Sequence, residues 1–84
     1  MNKTDILSEC NKVFIDQLDN SAILLTHETV ADDIDEWDSL AHIQLITAIE
    51  KHFGIKFTTA EMNSFENVGE MCDMIEKKII SKVQ

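Results

Sequence analysis

Eighty-four residues with two glycines and no proline leave room for one small core, and they exclude a turn-rich β protein or a disordered linker. Sixteen acidic residues against seven lysines and no arginine give a formal charge of −9. That balance argues against nucleic acid and anionic membranes as partners, since phosphate binding needs basic side chains, and suits either a basic protein surface or simple solubility. Cys10 and Cys72 make neither a disulfide framework nor a zinc site and fall at apolar helix positions, so buried thiols are expected. No apolar run approaches the ~18 residues of a membrane span and the chain opens on no signal-peptide pattern, so no stable membrane insertion and a cytoplasmic location are expected.

In chain order, a first helix is predicted over residues 4–18, where Ile6, Leu7, Cys10, Val13, Phe14 and Leu18 recur at helical spacing, with Thr4 as its cap. Residues 19–38 form a long connection anchored by Leu24, Leu25, Val30, Ile34 and Trp37. A connection of this length suits parallel first and second helices, which need a crossover. Its end carries Asp32, Asp33, Asp35, Glu36 and Asp38. A calcium loop starting at Asp33 fails, because Asp38 stands where that loop needs Gly and Gln44 where it needs Glu. The charges fit the positive end of the helix that follows.

That second helix starts at Asp38-Ser39, both of them good cap residues, and stops at Gly54. Leu45, Ile46, Ile49 and Phe53 form its core stripe, with His42 at the upper end. Leu40 and Ile43 lie off that stripe beside Thr47, so two large apolar side chains point outward within a turn of Ser39. An exposed apolar patch next to a hydroxyl at a helix start marks a docking place. A hydrolytic triad of Ser39, His42 and Asp38 fails, since Asp38 adjoins Ser39 and has no evident way to orient His42 as well. His27 and His52 have no evident partners and read as surface residues. The three histidines and two cysteines show no metal-ligand spacing. Beyond Gly54, Thr58 or Thr59 starts a short third helix with Met62 and Phe65 facing in, and Glu61, three residues after Thr58, fits a capping box. Asn67, with Glu70 three residues on, opens a last helix striped by Val68, Met71, Cys72, Ile75 and Ile79. Lys77, Lys78 and Lys82 favour its C-terminal end. The expected fold is all-α: one domain over residues 1–84, a small four-helix bundle with a long loop between helices 1 and 2 and a short third helix.

Asp38-Ser39-Leu40, the apolar helix behind it, Glu50 and Phe53-Gly54-Ile55 together resemble the acyl carrier protein family. The likeness runs from about Val30 to Ile75 and needs no gap from Asp38 through Val68, Asp73 and Ile75. It implies a stand-alone, non-catalytic carrier, monomeric, with 4′-phosphopantetheine from coenzyme A attached at Ser39. A separate magnesium-dependent phosphopantetheinyl transferase makes the attachment, and acyl-loading and acyl-processing enzymes use the thiol that results. In this reading Leu40, Ile43 and Thr47 line the docking surface, with Asp38 and Glu50 supplying charge. Departures from the family pattern are informative. Gln44 and Lys51 stand where acidic residues are common, His42 and His52 add potential positive charge, and Trp37 replaces a small residue. These departures point to a specialised acyl or aminoacyl carrier for lipid, polysaccharide-modification or secondary-metabolite chemistry. The alternatives are a housekeeping fatty-acid carrier and an unmodified helical interaction module.

Overall fold

The computed structural model describes residues 2–83, with side-chain surroundings for residues 2–81. Its elements are α1 (Lys3–Leu18), a 3-10 turn (Ala31–Asp33), α2 (Ser39–Phe53), α3 (Thr59–Met62) and α4 (Val68–Val83). The four-helix bundle with its long connection and short third helix is therefore as expected. The caps differ in detail. Asn2, not Thr4, caps α1, its Oδ1 accepting from Asp5 N–H at 2.8 Å. Asp19 closes the helix in the left-handed region at φ 51°, a conformation that Asp tolerates better than most side chains. Thr58 and Glu61 form the reciprocal capping box of α3, and Gly54 ends α2 at φ 68°.

One core joins all the long elements. Ile6, Cys10 and Phe14 of α1 meet Leu45, Ile46 and Ile49 of α2 and Val68, Met71, Cys72 and Ile75 of α4. Ala41 completes the buried face of α2, and Phe53 is only half-buried. Both cysteines are free thiols in this core. The contact with Cys72, together with burial, pushes the Cys10 thiol up, so it stays protonated.

Two contacts fix the relative direction of α1 and α2. Glu9 meets His52 near the end of α2 at 2.8 Å, and Phe14 meets Trp37 just before its start, ring centroids 4.9 Å apart. The helices run antiparallel, so the expected crossover is wrong. The connection instead closes on itself: Asn20 Nδ2 donates to Glu36 Oε2 at 3.0 Å. It needs its length because it does other work. Asn11 of α1 clamps it at two points, accepting from Leu25 N–H at 2.7 Å and donating to Ile23 O at 3.3 Å. Ile23 and Leu25 enter the core, whereas the expected anchor Leu24 is 83% exposed. Alternation across an extended segment sends neighbours to opposite sides, so only one phase can be buried.

The same connection caps α4. Thr29 O accepts from Val68 N–H and His27 O from Gly69 N–H, both at 2.9 Å. A Cβ on Gly69 would lie 2.7 Å from His27 O, so only glycine lets the loop approach this closely. Asn67 Oδ1 takes the next donor, Glu70 N–H. His27 is accordingly no surface residue: it is half-buried against α4. Lys78, expected to serve the end of α4, instead pairs with Glu61 at 2.9 Å and lies over the Phe57 ring. Lys82 lies outside the residues whose side chains are described.

Candidate functional site

The site is the start of α2, and Asp38 decides its chemistry. Its Oδ1 accepts from Ala41 N–H at 2.8 Å and its backbone carbonyl accepts from His42 N–H at 2.8 Å. Asp38 is thus the cap, and Ser39 is the first residue of the helix. The sequence offered both as caps. With Asp38 in that role, the Ser39 hydroxyl is free of it and exposed. Among the described residues, the N–H groups of Ser39 and Leu40 take no partner, so the positive end of the helix faces outward beside the hydroxyl.

The acidic run divides its labour. Asp33 Oδ2 accepts from Val30 N–H to hold the 3-10 turn, Glu36 closes the loop, and Asp38 caps α2. Only the last of these serves the helix end as expected.

The neighbours of Ser39 are apolar and outward. Leu40 is 67% exposed and Ile43 53%. Thr47 is also exposed, its hydroxyl donating to Ile43 O at 2.9 Å. Glu50 is half-buried, and its carboxylate accepts from Phe57 N–H at 2.7 Å, so it braces the turn after α2. His52 has a partner after all, Glu9, whose carboxyl Lys12 and His52 hold below its usual range.

A groove of about 540 Å³ opens beside Ser39, lined by Trp37, Ser39, His42, Ile43, Met62 and Phe65, with Met71 at its floor. His42 spans it. Trp37 Nε1 donates to His42 Nδ1 at 3.0 Å, and His42 Nε2 bonds Met62 O at 2.8 Å. Both ring nitrogens are engaged, so His42 is no base for Ser39, and the triad fails on geometry as well as on sequence. Nothing in the sequence pattern links positions 37, 42 and 62.

Residues 36–75 match the family described as a phosphopantetheine attachment site. An acyl carrier protein from Thermosynechococcus vestitus is 29% identical over 80 residues, 94% of this chain and 98% of that protein. The solution structure of holo acyl carrier protein from Geobacter metallireducens superposes with a TM-score of 0.87 at 41% identity, over 93% of this chain and 90% of that one. The chain belongs to the acyl carrier protein family. Members of this family are carriers, and the prosthetic group of the matched region is 4′-phosphopantetheine. The residues of this carrier fit that group. A phosphodiester at Ser39 would meet the two free first-turn N–H groups, and a flexible arm has the groove beside it. Among the described residues no helix is long and apolar enough to cross a membrane.

Proposed function

We propose that Ser39 Oγ is the attachment point of 4′-phosphopantetheine and that the chain carries an acyl or aminoacyl group between enzymes of a specialised pathway. The observation that carries this reading is the division of labour at the helix start: Asp38 caps, and the Ser39 hydroxyl stands exposed between a groove and the apolar Leu40 and Ile43. Ser39 Oγ loses its proton and forms a new P–O bond, while adenosine bisphosphate leaves coenzyme A with the electrons of the broken one. With His42 committed on both nitrogens, the transferase must supply the base. When bound, the group supplies a terminal thiol that holds cargo as a thioester.

Asp38, Leu40, Ile43 and Thr47 form the docking surface for the transferase and the acyl-handling enzymes. Leu40 and Ile43 supply the apolar contact, and Asp38 supplies charge at the rim. The specialised pathway is favoured by the outer face of α2. Its one carboxylate, Glu50, is engaged with Phe57, while Lys51 is exposed. Enzymes that read an acidic second helix would find little to bind.

Incubation with coenzyme A, magnesium and a broad-specificity phosphopantetheinyl transferase tests the attachment. The intact protein gains the mass of one phosphopantetheine, and Ser39→Ala gains none. Gain of the group by Ser39→Ala, or none by the native chain, would sink the assignment. Efficient turnover by housekeeping ketosynthases would argue for the fatty-acid pathway instead.

A further inference from the structure

The turn that carries Ser39 is lightly held. Among the described residues, the N–H groups of Ser39 and Leu40 take no partner, and the next two both depend on Asp38. Ala41 N–H bonds its Oδ1 and His42 N–H its backbone carbonyl, each at 2.8 Å. A helix start that hangs on one residue frays. Here a second device spans the turn. With Asp38 as the N-cap, Trp37 is the residue before the cap and His42 is the fourth of the helix. At these positions a pair of side chains can staple a helix start and fix the angle at which the chain enters it.

The staple of this chain is aromatic and hydrogen-bonded. Trp37 Nε1 donates to His42 Nδ1 at 3.0 Å, and the rings stack with centroids 5.9 Å apart and planes 20° apart. An indole N–H can only donate, so Nδ1 is bare and the ring proton is on Nε2, which donates to Met62 O at 2.8 Å. Each half is anchored again elsewhere. The indole stands edge-on to Phe14 of α1, and the imidazole holds the last residue of α3. The backbone N–H of Trp37 bonds Ile34 O, which draws the loop ahead of the cap to the same anchor. Both ends of the Ser39 turn are thus fixed to the fold, while the hydroxyl between them faces outward. Apolar contact alone lets two rings slide, whereas a hydrogen bond also sets their direction.

We propose that the Trp37–His42 staple is the positioning device for phosphopantetheine transfer: it holds the Ser39 hydroxyl in the direction that attack on the incoming phosphorus requires. The inference rests on attachment at Ser39. Trp37 and His42 are positioning residues in it, since the two bonds of His42 leave no ring nitrogen for the reaction. Attack on phosphorus depends on the alignment of the entering oxygen, so a fraying turn slows the transfer. Ile43 and Thr47 lie beyond the stapled turn, so docking should be kept and the loss should fall on kcat rather than on KM.

Two substitutions at residue 42 take its bonds apart. By bond count from Cβ, the amide oxygen of an Asn side chain stands where Nδ1 stands, and the amide nitrogen of Gln stands where Nε2 stands. His42→Asn therefore keeps an acceptor for Trp37 and drops the bond to Met62, and His42→Gln does the reverse. Trp37→Phe keeps a ring and removes the N–H. The test uses the full chain with coenzyme A, magnesium and a phosphopantetheinyl transferase, at a temperature where urea unfolding shows each variant folded. Trp37→Phe and His42→Gln should lose about tenfold in kcat, with KM for the carrier within about twofold of native. His42→Asn should lose no more than about threefold. In the unloaded chain, amide exchange at Ala41 and His42 should quicken in the two slow variants and much less in His42→Asn. If Trp37→Phe does not fold, the two variants at His42 carry the comparison. A kcat within about twofold of native in the variants without the indole bond, a loss confined to KM, unchanged exchange, or His42→Asn as slow as His42→Gln would each overturn the staple's role. A native chain that gains no mass overturns the Ser39 reading as well, whereas a native chain modified at Ser39 whose variants react as fast overturns the staple alone.

Discussion

The starts of α2 and α4 carry similar sequence signals, a polar capping residue ahead of an apolar run, and are put to opposite uses. At α4 three successive donors are satisfied from within the chain: Val68 by Thr29 O, Gly69 by His27 O and Glu70 by Asn67. That end is shut, with Val68 and Gly69 buried. At α2 only Asp38 caps, and Ser39 and Leu40 face outward. The difference is made by residues 27–29, which dock on one helix start and leave the other open. A helix end sealed by the fold contributes stability. One that its own cap holds while its donors face solvent is available to a phosphate.

Exchanging the features of the two ends gives the largest effects. Ser39→Ala should abolish phosphopantetheine attachment outright yet change stability by no more than about 0.5 kcal/mol, because the residue is exposed and does not cap. Urea unfolding and intact mass read the two separately. Gly69→Ala should do the reverse. Its Cβ meets a backbone carbonyl rather than a flexible side chain, so a loss of about 1–3 kcal/mol is expected, with attachment retained wherever the chain is folded. In a domain whose total stability is on the order of 5–15 kcal/mol, that loss is plain in a urea midpoint. Amide exchange should also quicken at Val68 and Gly69, whose partners belong to the displaced loop.

Asp38 sits between these extremes because it is both cap and rim charge. Asp38→Ala should lose about 0.5–2 kcal/mol. Asp38→Asn keeps a good cap and removes the charge, so it should melt like the native chain while the transferase works on it a few-fold more slowly, an effect that shrinks with added salt. Equal transferase rates for the native chain and Asp38→Asn would remove Asp38 from the docking surface.

Local rules made much of this legible in advance. The stop at Gly54, the Thr58–Glu61 box, the Asn67 start and the stripes of α2 and α4 all depend on residues within a turn of each other. What was not legible depends on partners far along the chain. The choice of Asp38 over Ser39 as cap lies between two side chains that both suit the role. The burial of Ile23 in place of Leu24 is a matter of phase in a segment with no period, settled by Asn11 twelve residues earlier. The bond from Phe57 N–H to Glu50 was hidden as well, because it depends on the path of the loop after Gly54. The bonded chain at His42 needs the indole of residue 37, the imidazole of residue 42 and a carbonyl twenty residues further on, a grouping that only the packing of α3 reveals.

The smallest expected effect concerns what holds α3 in place. Glu61 is bonded by Thr58 N–H and by Lys78, and these hold its carboxyl below the usual value. A carboxyl lowered in the folded chain adds stability that is fully present above its unfolded value and is lost as pH falls through the folded one. Acidification below about pH 4.5 should therefore loosen α3 from α4, and Glu61→Gln should flatten that part of the pH profile. Because the side chain is partly exposed, screening keeps the effect modest. If the His42 bond to the Met62 carbonyl holds α3 independently, Glu61→Gln at neutral pH should leave amide exchange in residues 59–63 close to native. If exchange there quickens at neutral pH in Glu61→Gln, then the ion pair to α4, rather than the bond from α2, holds α3 in place.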